Sequence, residues 1–285
     1  MSKPFLKWAG GKYKLVSFIE NNFPKTARRK RLIEPFCGSA ALSLALEFDE
    51  YLLNDINSDL INLYKVLQKE KQDFIDYAKQ FFTPENNSEK SFLYLRDLFN
   101  NSENIEERSA LFIYLNRHSF NGLCRYNSKG KFNVPFGRYK SLYFPEIELQ
   151  AFVKKSDRIQ LSCADFQAAL NQAQEQDIIY CDPPYAPLSE TASFTSYSQQ
   201  GFNLQEQKDL ADYSEITAKK SEIVLISNHD TQFTRNIYAN AKLISIEVQR
   251  NIAAKSESRK KVGELLAIYN KRIIENKLSK ERILL

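Results

Sequence analysis

Short apolar runs that end in small or acidic residues alternate along this chain with longer segments of helical periodicity. Strands buried on both faces of a sheet have this continuous apolar character, and the longer segments between them can form crossover helices. The alternation therefore predicts a parallel α/β sheet. The predicted strands are, in chain order, residues 31–35, 51–54, 159–163, 178–181, 223–227, 244–249 and 265–269.

One connection between strands is far longer than a crossover requires. Residues 57–144 begin with helical patterns and become polar, aromatic and basic from Arg117 onward. A segment of this length predicts an inserted, mainly helical domain, with residues 1–56 and 145–270 forming one discontinuous domain around it. Residues 271–285 are charged and amphipathic, which predicts a short helix or a disordered tail.

The composition excludes several classes of protein. No stretch of about 18 consecutive apolar residues occurs and the N-terminus lacks the apolar run of a signal peptide, so we expect a cytoplasmic protein. The four cysteines form no C-x-x-C pair and only two histidines accompany them, so we expect neither disulfide bonds nor a metal site. Short basic runs at 25–31, 129–140 and 259–261 either contact phosphates or form solvated surface.

Glycine is scarce in this chain, with 8 in 285 residues, so its positions are informative. Gly38 follows the first predicted strand and precedes the helical pattern of residues 40–48, where an open α/β sheet lets its backbone approach a ligand. Asp55 follows the second predicted strand, at a position suited to ribose hydroxyls. The two positions together predict an adenosine-bearing ligand over the first two strands.

The single glycine in the loop favours one class of adenosine ligand. A nicotinamide cofactor requires G-x-G-x-x-G for its pyrophosphate, whereas S-adenosylmethionine has no phosphates and requires only a tight turn and an acid for the ribose. Lys12 and the backbone of Gly10 and Gly11 can supply contacts for its amino and carboxylate ends. We therefore expect S-adenosylmethionine.

Each of these features also has an ordinary structural explanation. Asp165 and Phe166, after the third predicted strand, suit the adenine amino group and ring. Trp8, however, can be a core residue, Gly38 a packing position, and Asp55 a helix cap or turn residue. The prediction of a cofactor site depends on these residues occurring as a set.

The fourth predicted strand stops at Asp182-Pro183-Pro184-Tyr185, and its carboxyl end is where α/β enzymes place their chemistry. An amino group on an aromatic ring is a poor nucleophile because its lone pair is delocalised. The Asp182 carboxylate and the Pro183 carbonyl can each accept one of its N–H bonds, while Tyr185 stacks on the ring. The freed lone pair can then attack a sulfonium methyl in line, and no histidine base is needed. The alternative is a proline-terminated turn with a capping acid.

The order of these motifs around a long insert resembles the α class of DNA amino-methyltransferases. The motifs are residues 7–12, 34–40, 55–57 and 182–185. Within that class, four further segments resemble the Dam-type DNA adenine methyltransferases, and the resemblance extends to about Tyr269. These segments are residues 114–117, 121–127, 132–139 and 225–230.

The resemblance implies a Rossmann-like methyltransferase sheet with helices on both faces and an inserted DNA-recognition domain. It also implies methylation of adenine N6 in GATC, with S-adenosylmethionine as the donor. We expect a monomer that acts on double-stranded DNA and is associated with the nucleoid, with neither metal nor membrane. Residues 189–197 are expected to close over the flipped adenine as a lid.

Individual residues acquire expected roles from the motifs and from the resemblance. The expected catalytic residues are Asp182, Pro183, Pro184 and Tyr185. The expected cofactor-binding residues are Trp8, Ala9, Gly10, Lys12, Phe36, Gly38, Ser39, Asp55, Ile56, Asp165, Phe166 and Asp182. The expected DNA-binding residues are Lys7, Phe120, Asn121, Leu123, Arg125, Pro135, Arg138 and Tyr139.

Two residues depart from the family's pattern. Ala40 stands at the second glycine of F-x-G-x-G, and its methyl group is expected to be tolerated if the helix begins there with negative φ. Phe120 stands where the residue that inserts into the duplex is often tyrosine. It loses a hydrogen bond but keeps the stacking wedge.

Two other functions fit part of the pattern. An RNA adenine or protein-glutamine methyltransferase can use the same chemistry on another planar amine and would be indifferent to GATC duplexes. A non-catalytic DNA-binding regulator could keep the fold without turnover. Its DNA binding would not depend on Asp182.

Overall fold

A computed structural model of the protein describes residues 1–25, 29–141, 143–188, 202–249 and 261–283. The chain divides into two compact units, both discontinuous in sequence. The first unit comprises Met1–Asn22, Cys37–Glu47 and Asp55–Cys163, and the second unit comprises Phe23–Phe36, Phe48–Asn54 and Ala164–Leu285. The segment 57–144 lies within the first unit, and its assignment as a separate domain stays a prediction.

Seven strands occur where the sequence predicts them, with differences of a few residues at their ends. They are β1 (Arg31–Glu34), β2 (Glu50–Asn54), β3 (Ile159–Ser162), β4 (Asp177–Cys181), β5 (Ile223–His229), β6 (Lys242–Gln249) and β7 (Lys261–Tyr269). The strand β3 belongs to the first unit and the others to the second unit.

The six strands of the second unit pair in the order β2-β1-β4-β5-β7-β6. The first four are mutually parallel, as predicted, but β7 runs antiparallel to β5, and β6 runs antiparallel to β7. A wholly parallel sheet was therefore the wrong prediction. Only residues 250–260 separate β6 from β7, which is fewer than the dozen or more that a parallel crossover needs. The α/β, Rossmann-like fold class itself is confirmed.

The helices of the first unit are α1 (Val16–Glu20), α2 (Ala41–Ala45), α3 (Ser58–Lys79), α4 (Glu89–Asn101), α5 (Ile105–His118) and α6 (Glu146–Ser156). Polar side chains begin the three longest, since Asn57, Ser88 and Asn104 each accept a hydrogen bond from a backbone N–H in the first turn. Helix α2 is shorter than the predicted 40–48, and α3 is interrupted at Lys71, where φ is +50°.

The core of the first unit is built around α5. Every residue from Ser109 to Asn116 is buried, because α5 packs against both α3 and α4. Three aromatic rings form a second cluster, in which Tyr64 stacks on Phe152 at 5.1 Å and Phe5 meets both edge-on. A helix buried on all sides cannot show amphipathic periodicity, so its sequence reads as a continuous apolar run.

The helices that the structure describes in the second unit are α7 (Phe166–Asn171), α8 (Leu204–Ala218), α9 (Gln232–Ile237) and α10 (Lys271–Ile283). Apolar residues of β1, β4 and β5 pack with α7 and α8 in one buried cluster that includes Ile33, Ile179, Ile226 and Leu210. Burying each such side chain contributes about 2 kcal/mol. The cluster fixes the ends of these strands, where the predicted catalytic residues lie. None of the helices in the described part of the chain combines the length and apolar character needed to cross a bilayer.

Candidate functional site

The turn at Gly38 is held on three sides by other residues of the first unit. Its N–H donates to Asp55 Oδ2 at 3.0 Å, and its carbonyl accepts from the Tyr64 hydroxyl at 2.6 Å. A Cβ atom at this position would lie 2.6 Å from Trp8 Nε1, and φ is +46°, so the turn requires glycine. The structure thus brings three predicted residues into contact and adds Tyr64, which the sequence indicated only as a helical core residue.

Asp55 organises the turn that precedes α3. Its Oδ1 accepts the N–H of Asn57 at 2.9 Å while Oδ2 accepts that of Gly38. Burial raises the pKa of Asp55, and these backbone hydrogen bonds act in the opposite direction. The helix cap itself is Asn57, so Asp55 is a turn residue whose oxygens can accept further hydrogen bonds. Next to it, Ile56 is 76% exposed and presents an apolar surface beside the carboxylate.

The segment around Gly10 forms a tight turn that Lys12 closes. The Gly11 N–H donates to the Trp8 carbonyl at 3.1 Å, and Gly10 has a φ of +76°. Lys12 is buried and its Nζ donates to the Gly10 carbonyl at 2.6 Å. The ammonium group therefore supports the turn. Ala9 and Gly10 are exposed, whereas Ser39 is buried.

Ala40 adopts the left-handed conformation, with φ +54° and ψ +42°, immediately before α2. The expectation that the helix begins at this residue with negative φ is therefore wrong. The backbone keeps the geometry that a glycine would adopt here, although the side chain is alanine. The structure accommodates the methyl group of Ala40, but with a strained backbone at this residue.

Replacing Ala40 by glycine should raise the free energy of unfolding by up to about 1 kcal/mol. The left-handed conformation costs a residue with a Cβ about 1–2 kcal/mol, and the greater freedom of glycine in the unfolded chain offsets part of the gain. Urea denaturation measures the difference. Ala41→Gly, one residue later inside α2, is the matched control and should lose about 1 kcal/mol. An equal loss in both variants would contradict the strain at Ala40.

Three phenylalanines form an aromatic cluster in the second unit. Phe36 stacks on Phe166 at 5.5 Å, and Phe202 meets the two rings edge-on at 5.4 and 5.8 Å. Asp165 is exposed and caps α7 by accepting the Gln167 N–H at 2.9 Å. The structure thus brings Phe36 and Phe166 together as predicted residues and adds Phe202, which no sequence motif indicated.

The residues after β4 form the acidic corner, Asp182-Pro183-Pro184-Tyr185. The Oδ1 atom of Asp182 is buried, Pro183 is buried and Pro184 is exposed. The Tyr185 hydroxyl donates to Glu264 Oε2 at 3.2 Å, and burial together with the Asp182 carboxylate raises the pKa of this phenol well above its ordinary value. Tyr185 therefore stays protonated, as a neutral ring beside the carboxylate.

Side chains from β5 and α8 hold the acidic corner and the residue that follows it. Gln207 Nε2 donates to the Pro184 carbonyl at 2.7 Å. Asn228 accepts the Ala186 N–H at 2.9 Å through Oδ1 and donates to Gln207 Oε1 at 2.9 Å through Nδ2. His229 Nδ1 lies 2.6 Å from the Ala186 carbonyl, so this nitrogen carries a proton. Asn228 and His229 lie in a segment on which the family resemblance rests, but no sequence signal indicated Gln207.

All the predicted DNA-binding residues except Lys7 lie on the recognition loop, which we define as residues 119–139. It begins with a short 3-10 turn, Phe120–Gly122, and continues as a hairpin in which Tyr126 pairs with Phe132. Phe120 is 47% exposed, and its backbone N–H donates to the Pro135 carbonyl at 2.9 Å. The loop therefore presents an exposed aromatic ring on a hydrogen-bonded backbone.

Lys7 lies against the recognition loop although it is far away in sequence. Asn116 fixes its backbone on both sides, accepting the Lys7 N–H at 2.8 Å and donating to its carbonyl at 2.7 Å. The Lys7 ammonium lies 3.9 Å above the Tyr139 ring. A Cβ added to Gly122 would lie 2.3 Å from the Cβ of Lys7. Burial and then the Arg117 charge lower the pKa of Lys7. Two predicted residues, Lys7 and Tyr139, are thus in contact.

The remaining predicted residues of the recognition loop differ in how much of each is exposed to solvent. Arg125 is exposed and donates to Asn133 Oδ1 at 3.0 Å, which orients its guanidinium along the hairpin. Pro135 is exposed and Leu123 half-buried. Arg138 is exposed, has a φ of +53° and pairs with Glu89 at 3.2 Å. The predicted lid, 189–197, lies outside the described residues.

Comparison with known proteins gives one family and close relatives. A family model described as D12 class N6 adenine-specific DNA methyltransferase matches residues 8–252. A DNA adenine methylase of Vibrio cholerae serotype O1 is 50% identical over 268 residues, covering 94% of this chain and 96% of the relative. The DNA adenine methylase of Escherichia coli K12 is 44% identical over 273 residues, covering 96% and 97%. A solved SAM-dependent methyltransferase from Agrobacterium tumefaciens is 10% identical with a TM-score of 0.39, covering 93% of this chain and 63% of that chain.

Proposed function

The chain belongs to the family of D12 class N6 adenine-specific DNA methyltransferases, and from this premise we propose how this DNA adenine methyltransferase works. It uses S-adenosylmethionine as methyl donor and acts, as a monomer, on an adenine flipped out of duplex DNA at GATC. Such a substrate implies association with the nucleoid. The observation that carries the proposal is the acidic corner after β4. Gln207 binds its Pro184 carbonyl, Glu264 binds its Tyr185 hydroxyl, and Asn228 binds the N–H of Ala186, the next residue.

The acidic corner activates the adenine amino group. The Asp182 carboxylate and the Pro183 carbonyl accept its two N–H bonds and localise the lone pair on nitrogen. Tyr185, neutral and fixed by Glu264, supports the plane of the ring. S-adenosylmethionine supplies an electrophilic methyl group on a sulfonium when it is bound. Because the acceptors are already in place, little reorganisation is needed as charge develops on N6. The methylated nitrogen then releases a proton without a histidine base.

The Gly38 turn fits the adenosine part of this cofactor. The Trp8 ring leaves no room for a Cβ at Gly38, and Asp55 beside the turn retains acceptor capacity for ribose hydroxyls. Ile56, with its exposed side chain, provides an apolar contact for a flat ring. Lys12 closes the Gly10 turn and contacts the carboxylate of the methionine part. The predicted cofactor-binding residues of the second unit stay a separate prediction: Phe36, Asp165, Phe166 and Asp182.

The recognition loop extrudes the adenine and reads its neighbours. A stacked base cannot reach Asp182, so unstacking must be compensated, and the exposed ring of Phe120 with Asn121 can fill the gap. Lys7 and Arg125 contact guanines, while Leu123 and Pro135 contact a thymine methyl group. Further contacts to phosphates come from Lys129, Lys131, Arg138 and Lys140.

Replacing Arg125 by alanine should lower the preference for GATC over duplexes with a changed guanine by about 5- to 150-fold. Its planar guanidinium can donate two hydrogen bonds to O6 and N7 of guanine, a pairing worth about 1–3 kcal/mol of discrimination. Competition binding with matched duplexes measures the ratio. Lys129→Ala is the control, because loss of a phosphate contact weakens binding to all sequences alike. If both variants lose the same affinity for all duplexes, Arg125 does not read a base.

Methylation of plasmid DNA tests the proposed function as a whole. Purified protein is incubated with plasmid and labelled S-adenosylmethionine, then the DNA is cut with nucleases that distinguish modified from unmodified GATC. We expect label in DNA and altered cutting at every GATC. Label in RNA or protein instead, with GATC unchanged, would favour one of the rival methyltransferases. DNA binding without any transfer would favour the non-catalytic regulator.

A further inference from the structure

Asp59, in the first turn of α3, receives hydrogen bonds from two distant parts of the first unit. Its Oδ1 accepts from Arg108 Nε at 3.1 Å and from Nη2 at 2.7 Å. Its Oδ2 accepts from the Tyr126 hydroxyl at 2.8 Å. The side chain is only 13% exposed, so both interactions are shielded from solvent. The family motifs that we used do not include Asp59 or Arg108, and Tyr126 lies in the segment 121–127 without a role assigned to its hydroxyl.

On one side, Asp59 is close in the chain to the turn to which we assign the ribose. Asp55 binds the backbone N–H of Gly38 and of Asn57, and Asn57 caps α3 by accepting the Leu60 N–H at 3.2 Å. The first turn of α3 therefore continues directly from the Asp55 turn. A ligand that fixes this turn also fixes the position of Asp59.

On the other side, Asp59 is bound to the base-reading part of the recognition loop. Tyr126 is the residue next to Arg125, and its ring meets Phe132 across the hairpin at 5.9 Å. Burial, followed by the negative charge of Asp59, raises the pKa of this phenol, so it remains a hydrogen-bond donor. The Tyr126 hydroxyl thus anchors the hairpin at this point to the Asp59 carboxylate.

Arg108 makes the carboxylate a fixed point rather than a mobile acceptor. Its Nη1 donates to the carbonyls of Phe99 at 2.6 Å and Ser102 at 3.1 Å, at the end of α4. The guanidinium also lies 4.4 Å from the centre of the Phe99 ring. One oxygen of Asp59 is thus bound to Arg108, which is itself bound to the end of α4, and the other oxygen is bound to Tyr126 of the hairpin.

We propose that Asp59 is a positioning residue that couples occupancy of the Asp55 turn by the adenosine end of the cofactor to the placement of Arg125 on DNA. This inference rests on the proposed function. It means that bound cofactor strengthens binding to GATC more than binding to other sequences. Linkage then requires GATC to strengthen cofactor binding by the same factor. Asp59 touches neither the reacting atoms nor a base.

The variant Tyr126→Phe tests the proposal because it removes one hydroxyl and leaves the ring in its packing. Duplexes with GATC and with a changed guanine are titrated with and without S-adenosylhomocysteine, which cannot transfer a methyl group. In the wild type, we expect S-adenosylhomocysteine to increase the affinity for GATC duplexes more than the affinity for duplexes with a changed guanine. In Tyr126→Phe this cofactor-dependent gain should shrink about fivefold or more, which is within the usual range of such couplings. Binding of S-adenosylhomocysteine without DNA should change less than twofold.

The control is Tyr143→Phe, which removes an exposed hydroxyl bound to Glu148 and should leave the gain unchanged. Asp59→Asn provides a second variant, since its amide oxygen can still accept from Tyr126 and should retain part of the gain if it folds. An undiminished gain in Tyr126→Phe overturns the role of Asp59 while the proposed function stands. If the wild type itself neither prefers nor methylates GATC, the proposed function fails, and this inference fails with it.

Discussion

Replacing Asp182 by alanine should lower the rate of methyl transfer to DNA about a thousandfold while the protein stays folded. The carboxylate accepts a hydrogen bond from the amino group as positive charge develops on nitrogen, so its loss affects the transition state more than substrate binding. Asp182 follows the end of β4, and the hydrogen bonds that hold its neighbours come from Gln207 and Asn228, which the substitution leaves intact.

Transfer of labelled methyl groups under single-turnover conditions measures this effect. The rate constant should fall, and the affinities for DNA and S-adenosylmethionine should each change by less than about tenfold. Asp157→Ala, at an exposed aspartate that pairs with Lys71, is the matched control and should retain full activity. A fall confined to KM would mean that Asp182 binds the base without activating it. An unchanged rate constant would mean that Asp182 takes no part in methyl transfer.

Replacing Gly38 by alanine should lower the free energy of unfolding by about 2–5 kcal/mol and weaken cofactor binding more than tenfold. The new methyl group would lie 2.6 Å from Trp8 Nε1, and the residue would have to keep a φ of +46°. The backbone strain accounts for about 1–2 kcal/mol and the overlap for about 1–3 kcal/mol. Any relaxation moves the N–H that Asp55 binds, and with it the carboxylate assigned to the ribose.

Gly130 offers a control that separates the two causes. It also has a positive φ, +68°, but a Cβ there would meet no atom within 4 Å. Gly130→Ala should therefore show only the backbone strain, with cofactor affinity unchanged. Urea denaturation and calorimetric titration with S-adenosylmethionine give both quantities. If the two variants lose the same stability, the contact with Trp8 is not what requires glycine at position 38.

The strands of this fold could be predicted because burial on both faces leaves a local trace. The apolar run before Asp182 and the run before Asp55 are continuous, and each stops where its strand stops. The direction of β7 left no such trace, since hydrophobicity does not depend on strand polarity. The left-handed backbone of Ala40 was hidden for a related reason, because the tertiary contacts around a buried turn override what its side chain prefers.

The candidate site could be predicted in its glycines, acids and prolines but not in the side chains that hold them. Tyr64 and Gln207 each make one hydrogen bond to a backbone carbonyl of a motif, and such a bond requires no particular spacing in sequence. Asn116 reads as part of a helical pattern, although its amide binds Lys7 on both sides. Contacts of this kind come from tertiary structure, so one sequence without its fold does not reveal them.

The pairing of Lys7 with Asn116 also sets an order of events during synthesis. The two residues are 109 positions apart, so at about 5–20 residues per second the N-terminal segment leaves the ribosome roughly 5–20 seconds before its partner amide has been made. During that interval the backbone N–H and carbonyl of Lys7 lack the amide that binds them both. A nascent chain arrested before residue 116 should therefore carry this segment undocked.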